Sequence, residues 1–414
     1  AHLRPYPRVL YFLRTRNHQT APGNGAAVKK EETKMLNVKT GNSINANAAA
    51  AGKEAAAMVK ENLTDMKMAF VYSGVQYDQK ELLASIASEL PGVPLIGNTS
   101  FTGVITPDGY ISADDGFTGI MALSDADLTV GVAGMPKEGT ARQTGHKVAE
   151  KALKAAGRTD APAYFYMAAP SGEEEYYLKG ITEVIGRVPF FGGSAADNTI
   201  TGEWLLYTDE MVTADGVAVA FFYTDKPFAN KFTGAYNETD KAGIITKLDG
   251  DRTLVEINGK PALTQYCEWT GASADEVAGG NLLSYAICHP LAVKDRLGDL
   301  AAIRHPMNGN DDGSMAIGNN MATGTAVVLM EATVDELIAS VGKTLEELKA
   351  KIDGPVAGLH LVHCGGRRAG IGDRINEVYD QVKAAVGDIP FLMEYTFGEY
   401  GYEDDGRNTC GGLR

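Results

Sequence analysis

Short apolar runs alternate with stretches of helical period along most of this chain. Residues 68–73 (MAFVYS), 119–123, 163–168 (AYFYMA), Gly216–Tyr223 and Leu359–Cys364 (LHLVHC) read as strands buried on both faces. Between them, residues 78–90 place Leu82, Leu83, Ile86 and Leu90 at helical intervals, and 140–156, 173–185, 334–352 and 373–386 read the same way. Residues 35–38 predict a first short strand. An Ala-rich helix over 41–62 follows, with Asn42 or Ser43 as its cap.

The order then repeats. Strand, helix, strand, helix and a proline-led strand run from residue 35, again from 128, and a third time from 326. The proline-led strand is the sharpest signal. It reads Val93-Pro94-Leu95-Ile96-Gly97-Asn98-Thr99-Ser100, then PFFGGSAADN at 189–198, then Ile389-Pro390-Phe391-Leu392-Met393-Glu394. The first two lie 95 residues apart, and Phe165 follows Phe70 by the same interval. The pattern predicts a mixed α/β (α+β) fold of three similar β-α-β-α-β units. Residues 226–325 break the series with turns at Asp249-Gly250, Asn258-Gly259 and Asp311-Asp312-Gly313, which predict a small antiparallel sheet inserted before the third copy. The expected organisation is two tandem repeats over 35–225, the bridging sheet domain over 226–325 and the third repeat over 326–414. Residues 1–34, with seven Lys or Arg against two Glu, read as a disordered or non-native extension. A transit peptide is the other reading of Arg4, Arg8, Arg14 and Arg16.

Composition narrows the function. The 414 residues are 44% hydrophobic, enough for a large core. A formal charge of −15 argues against nucleic acid or an anionic membrane as the main partner. No apolar run approaches membrane-spanning length. Cys267, Cys288, Cys364 and Cys410 form no CxxC pair, which fits a reducing cytoplasm rather than a disulfide framework.

Polar candidates cluster after the strands of each copy. Gly193 and Ser194, with Asp197 and Asn198 beyond them, make a turn able to cradle an anion or polar ligand in its backbone N–H groups. A tight turn without ligand is the alternative. The glycine-rich stretch after LHLVHC holds Gly365, Gly366 and Arg367, whose guanidinium suits a carboxylate or phosphate. It matches neither nucleotide-binding glycine motif. Glu394 and Glu399 lie beyond the last proline-led strand, against a background of solvated acids on an acidic chain. Arg367 with a Glu would hold the two ends of an amino-acid-like ligand. An enzyme using Cys364 or the Glu394/Glu399 pair on a small carboxylated substrate is the rival reading, without a complete catalytic set. His363 and Cys364 are adjacent on a strand and point to opposite faces, so they form no dyad. His289, His305, His360 and His363 lack metal-protease spacing, so no metal site is expected, while a single-histidine haem needs no motif.

Together PLIGNTS, PFFGGSAADN, ADGVAVAFF, LVEINGKPALTQY, the LAAIRHP…DDGSM segment, LVHCGGR and FGEYG…RNT resemble the FIST family of intracellular sensory proteins, across roughly residues 65–260 and 261–410. The resemblance implies a cytoplasmic ligand-sensing module for small molecules such as amino acids. Some relatives carry haem and sense nitric oxide. The matching polar positions are Gly193, Ser194, Asp197, Arg304, Arg367, Glu399 and Asn408; Asn98 joins them as the first copy's counterpart. The chain carries no kinase, cyclase or chemotaxis segment, so output is expected through a separate partner such as a kinase or chemotaxis component. Ending soon after Asn408, the third copy is expected to lack a strand.

Overall fold

The first copy shows how the pattern becomes a sheet. In the computed structural model, which describes residues 36–61, 63–294, 301–403 and 407–410, it contains β1 (Asn37–Ser43), α1 (Ala48–Lys60), β2 (Met66–Ser73), α2 (Gln79–Glu89), β3 (Leu95–Thr99), the hairpin β4 (Val104–Thr106) and β5 (Gly109–Ile111), and β6 (Thr118–Ser124). The extension 1–34 lies outside the described residues. β1 runs through the expected helix start to Ser43. Asn47, not Asn42 or Ser43, caps α1 by accepting from the Ala50 N–H. β2 and β3 are parallel, while β6 lies antiparallel between β1 and β2.

The second copy repeats this as β7 (Thr129–Pro136), α3 (Ala141–Ala156), β8 (Tyr164–Ala169), α4 (Glu174–Ile185), β9 (Phe190–Ser194), β10 (Leu206–Thr208), β11 (Met211–Thr213) and β12 (Gly216–Tyr223). The insert contributes β13 (Asn237–Asp249), β14 (Thr253–Ile257), β15 (Lys260–Pro261), α5 (Ala262–Thr270), α6 (Asn281–Ala286), β16 (Leu291–Lys294), β17 (Ala301–Arg304), β18 (Pro306–Gly309) and β19 (Met315–Ile317). The third copy follows with β20 (Ala326–Glu331), α7 (Val334–Lys349), β21 (Leu359–Cys364), α8 (Gly365–Ile371), α9 (Ile375–Val386), β22 (Phe391–Thr396), β23 (Glu399–Glu403) and β24 (Arg407–Cys410). The glycine-rich stretch expected as a loop is therefore the short helix α8.

Sheet pairing links the copies in a cycle. Hairpin β10–β11 of the second copy extends the first sheet beside β3. Hairpin β23–β24 of the third copy extends the second sheet beside β9. Hairpin β4–β5 of the first copy completes the third sheet beside β22. Each copy thus fills an edge of another copy's sheet, so no copy has its full sheet alone. β20 does not join β21. It pairs with β13 and β16 in the antiparallel sheet of the insert, leaving the third copy's own sheet as β21-β22-β4-β5 among the described residues.

Alternation along the parallel strands assigns two faces. In β2, Ala69 and Val71 pack under α1 and α2, while Phe70 and Tyr72 face the other way. In β8, Phe165, Met167 and Ala169 pack under α3 and α4, while Tyr166 and Ala168 join the cluster of Phe70 and Tyr72. Tyr166, rather than Phe165, is therefore Phe70's counterpart. A shift of one residue sends a strand side chain to the opposite face. Register agrees: Phe70 pairs with Ile96, Tyr166 with Phe191 and His360 with Leu392, each partner two residues after its proline. The three rings meet, with centroids 5.1 Å (Phe70–Tyr166), 4.4 Å (Phe70–His360) and 5.6 Å (Tyr166–His360) apart. They form the centre around which the three copies are arranged.

Candidate ligand site at the strand ends

One layer beyond those rings stand the residues four positions after each proline: Asn98, Gly193 and Glu394. Asn98 Nδ2 donates to Glu394 Oε2 at 2.8 Å, and the Tyr166 hydroxyl donates to Asn98 Oδ1 at 2.8 Å. The same hydroxyl lies 3.3 Å from Glu394 Oε1, and His360 Nε2 lies 3.6 Å from that oxygen and 2.9 Å from the Tyr72 hydroxyl. Asn98, Glu394, Tyr72 and Tyr166 are fully buried. The hydrogen bonds among Asn98, Tyr166 and Glu394 and between Tyr72 and His360 each join one copy to another, so this polar knot fixes how the copies meet. Sequence reasoning named Asn98 and Glu394, and His360 only among the histidines weighed for a metal or haem, but missed Tyr72 and Tyr166. The polar residues interrupting otherwise apolar runs were the available signal.

Gly193 faces the same layer from β9. A Cβ built there would come within 2.5 Å of the Thr396 side chain. Glycine is thus required for β9 to approach the end of β22. Ser194 follows, its Oγ 2.6 Å from the Tyr400 hydroxyl and its N–H donating to the Gly398 carbonyl at 2.7 Å.

Beyond this contact lies a partly accessible polar cluster. Its members are Cys364 at the end of β21, Arg367 on α8, Thr396 at the end of β22 and Glu399 at the start of β23. Thr396 donates to Glu399 Oε1 at 3.1 Å. Burial pushes the Glu399 carboxyl up to about 7, although the Thr396 hydrogen bond and the Arg367 charge pull the other way. Burial also pushes the Cys364 thiol up to about 12, with Glu399 adding to the effect. Arg367 Nη2 is anchored on the Leu337 carbonyl at 2.6 Å and Ser340 Oγ at 2.7 Å, and its buried Nε has no hydrogen-bond partner among the described residues. The cluster therefore holds a carboxyl that titrates near neutrality beside a guanidinium N–H available to an acceptor.

The hairpin exchange shows what is unusual about Glu399. It pairs with Gly193 across β23 and β9. The same place in the first sheet, opposite Asn98, is held by Leu206, which is fully buried. The next residue is tyrosine in both, Tyr207 opposite Gly97 and Tyr400 opposite Gly192. The fold accepts an apolar side chain at this register and the second sheet carries an acid there.

The remaining candidates fall elsewhere. The turn expected at Gly193 and Ser194 is instead the end of strand β9, with the Ser194 N–H paired to the Gly398 carbonyl; Asp197 caps the turn that follows, accepting from the N–H groups of Thr199, Thr201, Gly202 and Glu203 at 2.9–3.1 Å. Burial works to raise that carboxyl, but these donors hold it below the usual range. Asn198 Oδ1 accepts from the Thr102 N–H and ties the first two copies together. Arg304 sits on the insert's sheet, donating to the Asn320 and Ile303 carbonyls at 2.9 Å. Asn408 lies on β24 opposite Tyr402. His363 is buried against Tyr395, with ring centroids 5.2 Å apart, and its Nδ1 lies 3.0 Å from the Cys364 carbonyl. Burial, then the Arg367 charge, lowers its pKa to about 3. With His360 ringed by Phe70, Tyr166 and Phe191, neither β21 histidine offers a porphyrin an open face, so these residues do not fit a haem.

Three copies sharing hairpins around one centre, with polar groups at the carboxyl ends of their parallel strands, define a concatenated α/β assembly. Its family is shown by direct comparison: the FIST N domain matches residues 67–260 and the FIST C domain residues 262–402. The chain belongs to the FIST family, a family of sensory domains. No curated protein matches the chain. Among solved structures, a cyanuric acid hydrolase from A. caulinodans is similar at 13% identity over 51% of this chain and 72% of its own, with a TM-score of 0.27. A second structure, described as a cyanuric acid hydrolase arising by structural concatenation, is 10% identical over 72% of this chain and 100% of its own, with a TM-score of 0.29. At those scores neither likeness bears on this chain's function. No described helix is long and apolar enough to cross a membrane.

Proposed function

We propose that this chain is a receptor for a small zwitterionic molecule of the amino-acid kind, bound at the Cys364–Arg367–Thr396–Glu399 cluster beside Gly193 and Ser194. Arg367 Nε donates to the ligand's carboxylate and ionised Glu399 accepts from its ammonium. The observation that carries this reading is Glu399 itself, a largely buried acid at a register where the first sheet places fully buried Leu206. Structural need does not account for it, and a residue kept at a cost to stability is the mark of a binding role. The rival reading, in which Cys364 acts as a nucleophile, is disfavoured by a thiol pushed up to about 12, which leaves almost no thiolate at neutral pH. Occupancy of the site shifts the protein between conformations that a separate signalling partner in the cytoplasm reads.

A thermal-shift screen of amino acids, organic acids and nucleotides tests the reading, because a ligand that binds only the folded form raises its melting point by mass action. An amino acid that stabilises the parent should leave Glu399→Leu and Arg367→Ala unshifted. Equal shifts in all three proteins would place the ligand elsewhere.

A further inference from the structure

The insert's antiparallel sheet is held to the rest of the chain by side chains that also border the ligand site. Arg252, in the turn between β13 and β14, donates to Asn320 Oδ1 at 2.8 Å, the Gly318 carbonyl at 2.7 Å and Glu175 Oε2 at 2.6 Å. The same guanidinium lies 3.0 Å from Glu174 Oε2. Glu175 Oε1 accepts from the Asn320 N–H at 3.0 Å, and the Tyr176 hydroxyl donates to Asp251. Three consecutive residues at the start of α4 therefore grip two segments of the insert.

Glu174 is the member that reaches the site. Its counterpart 95 residues earlier is Gln79, whose side chain, among the described residues, bonds within its own copy, to Ser73, Gly74 and Tyr77. Glu174 instead looks two ways. Oε2 meets Arg252 and accepts from the Gly172 N–H, while Oε1 lies 3.5 Å from where a Cβ on Gly398 would stand, next to Glu399. That same Cβ position is 2.9 Å from Ser194 Oγ. Burial raises the Glu174 carboxyl and Arg252 opposes the shift, so the balance at this acid responds to nearby charge.

A second link leaves the site in another direction. Arg367 is anchored on Leu337 and Ser340 of α7, and α7 follows directly from β20. β20 is an inner strand of the insert's sheet, between β13 and β16. Glu174 at the edge of the ligand site and Arg367 within it thus sit at the roots of two separate attachments of one sheet.

We infer that the inserted sheet is the responding element of the receptor, and that occupancy of the ligand site reaches it through the Glu174–Arg252 clamp and the Arg367–α7–β20 connection. This rests on the ligand site proposed above and adds how that site is read. A ligand ammonium beside Gly398 competes with Arg252 for Glu174, and a ligand carboxylate on Arg367 Nε draws the guanidinium against its anchor on α7. Both act on the same sheet, so a small molecule alters its attachment without entering it. The coupling is a difference in free energy between two arrangements of the clamp, and it operates reciprocally.

Hydrogen exchange read by mass spectrometry over residues 249–257 and 315–321 tests the clamp without knowledge of the ligand. The proteins compared are the parent, Glu399→Gln, Arg252→Gln and the double variant. Glu399→Gln is expected to change exchange in those two segments about threefold or more in the parent background, and to have no further effect once Arg252 is Gln. Identical changes in both backgrounds, or none in the parent, overturn the inference. Arg252→Lys, which keeps the charge, replaces Arg252→Gln if the latter fails to fold. Glycine, added to the parent at millimolar concentration, separates the two claims. Absence of any glycine effect together with non-additive exchange would reject glycine as ligand and leave the clamp standing.

Discussion

Replacing Glu399 by leucine should stabilise this protein, and by an amount that depends on pH. The Glu399 carboxyl rises from an ordinary value of 4.5 to about 7 in the folded chain. The folded form therefore binds the proton more tightly than the unfolded form. Its contribution is fully present below pH 4.5 and is lost as pH climbs through 7. At about 1.4 kcal/mol for each tenfold difference in proton affinity, the loss on reaching pH 8 is about 3 kcal/mol. Leu206 shows that the register accepts leucine without a special neighbour. Glu399→Leu should then match the parent near pH 5 and exceed it by about 3 kcal/mol at pH 8, with Glu399→Gln showing the same flattened pH dependence. Urea unfolding of the three proteins at pH 5, 6, 7 and 8 measures this directly. Parallel pH profiles for parent and variants would refute the claim that Glu399 is a largely buried acid held at a cost.

Other outcomes follow from the same contacts. Asn98→Ala removes one hydrogen-bond partner from each of the buried Glu394 carboxyl and the Tyr166 hydroxyl, and should cost about 1–3 kcal/mol in urea unfolding. Gly97→Ala should leave little folded protein by circular dichroism, because its Cβ would stand 1.7 Å from the Val71 carbonyl oxygen between two paired strands. Asp197→Asn loses a carboxylate that its backbone donors hold below the usual range, so parent and variant should differ most above pH 4 and converge as pH falls through that range. Cys364 in the native protein should react with iodoacetamide at pH 8 far more slowly than a free thiol, and labelling at the free-thiol rate would contradict its enclosure.

How much of this was legible in the sequence depends on the range over which each feature is decided. Helices and strands with strong periods were readable, and Leu359–Cys364 and Gly216–Tyr223 have the boundaries the pattern predicts. The three-copy architecture was readable too, because each proline-led strand carries its own local signature. The hairpin exchange was not. Nothing near Leu206 says that it pairs with Asn98 rather than with its own copy's β9, since sheet edges are matched by the assembled fold. The special character of Glu399 was hidden for that reason, as its equivalence to Leu206 exists only through that exchange. The Phe70–Phe165 alignment failed by one residue because an interval of 95 holds for the proline-led strands but not for the strands before them. The nest read at Gly193 and Ser194 is absent because those residues extend β9, and the N–H groups that Asp197 gathers come from residues 199–203, where the sequence carried no such signal.

The most direct test of the ligand site is calorimetric titration of the amino acid giving the largest thermal shift, carried out from pH 5.5 to 8.5. An ammonium bound to Glu399 needs that carboxyl ionised, so affinity should climb close to tenfold per pH unit below about 7 and level off above it, with the climb absent in Glu399→Gln. An affinity independent of pH in the parent, or a climb that persists in Glu399→Gln, would contradict the account.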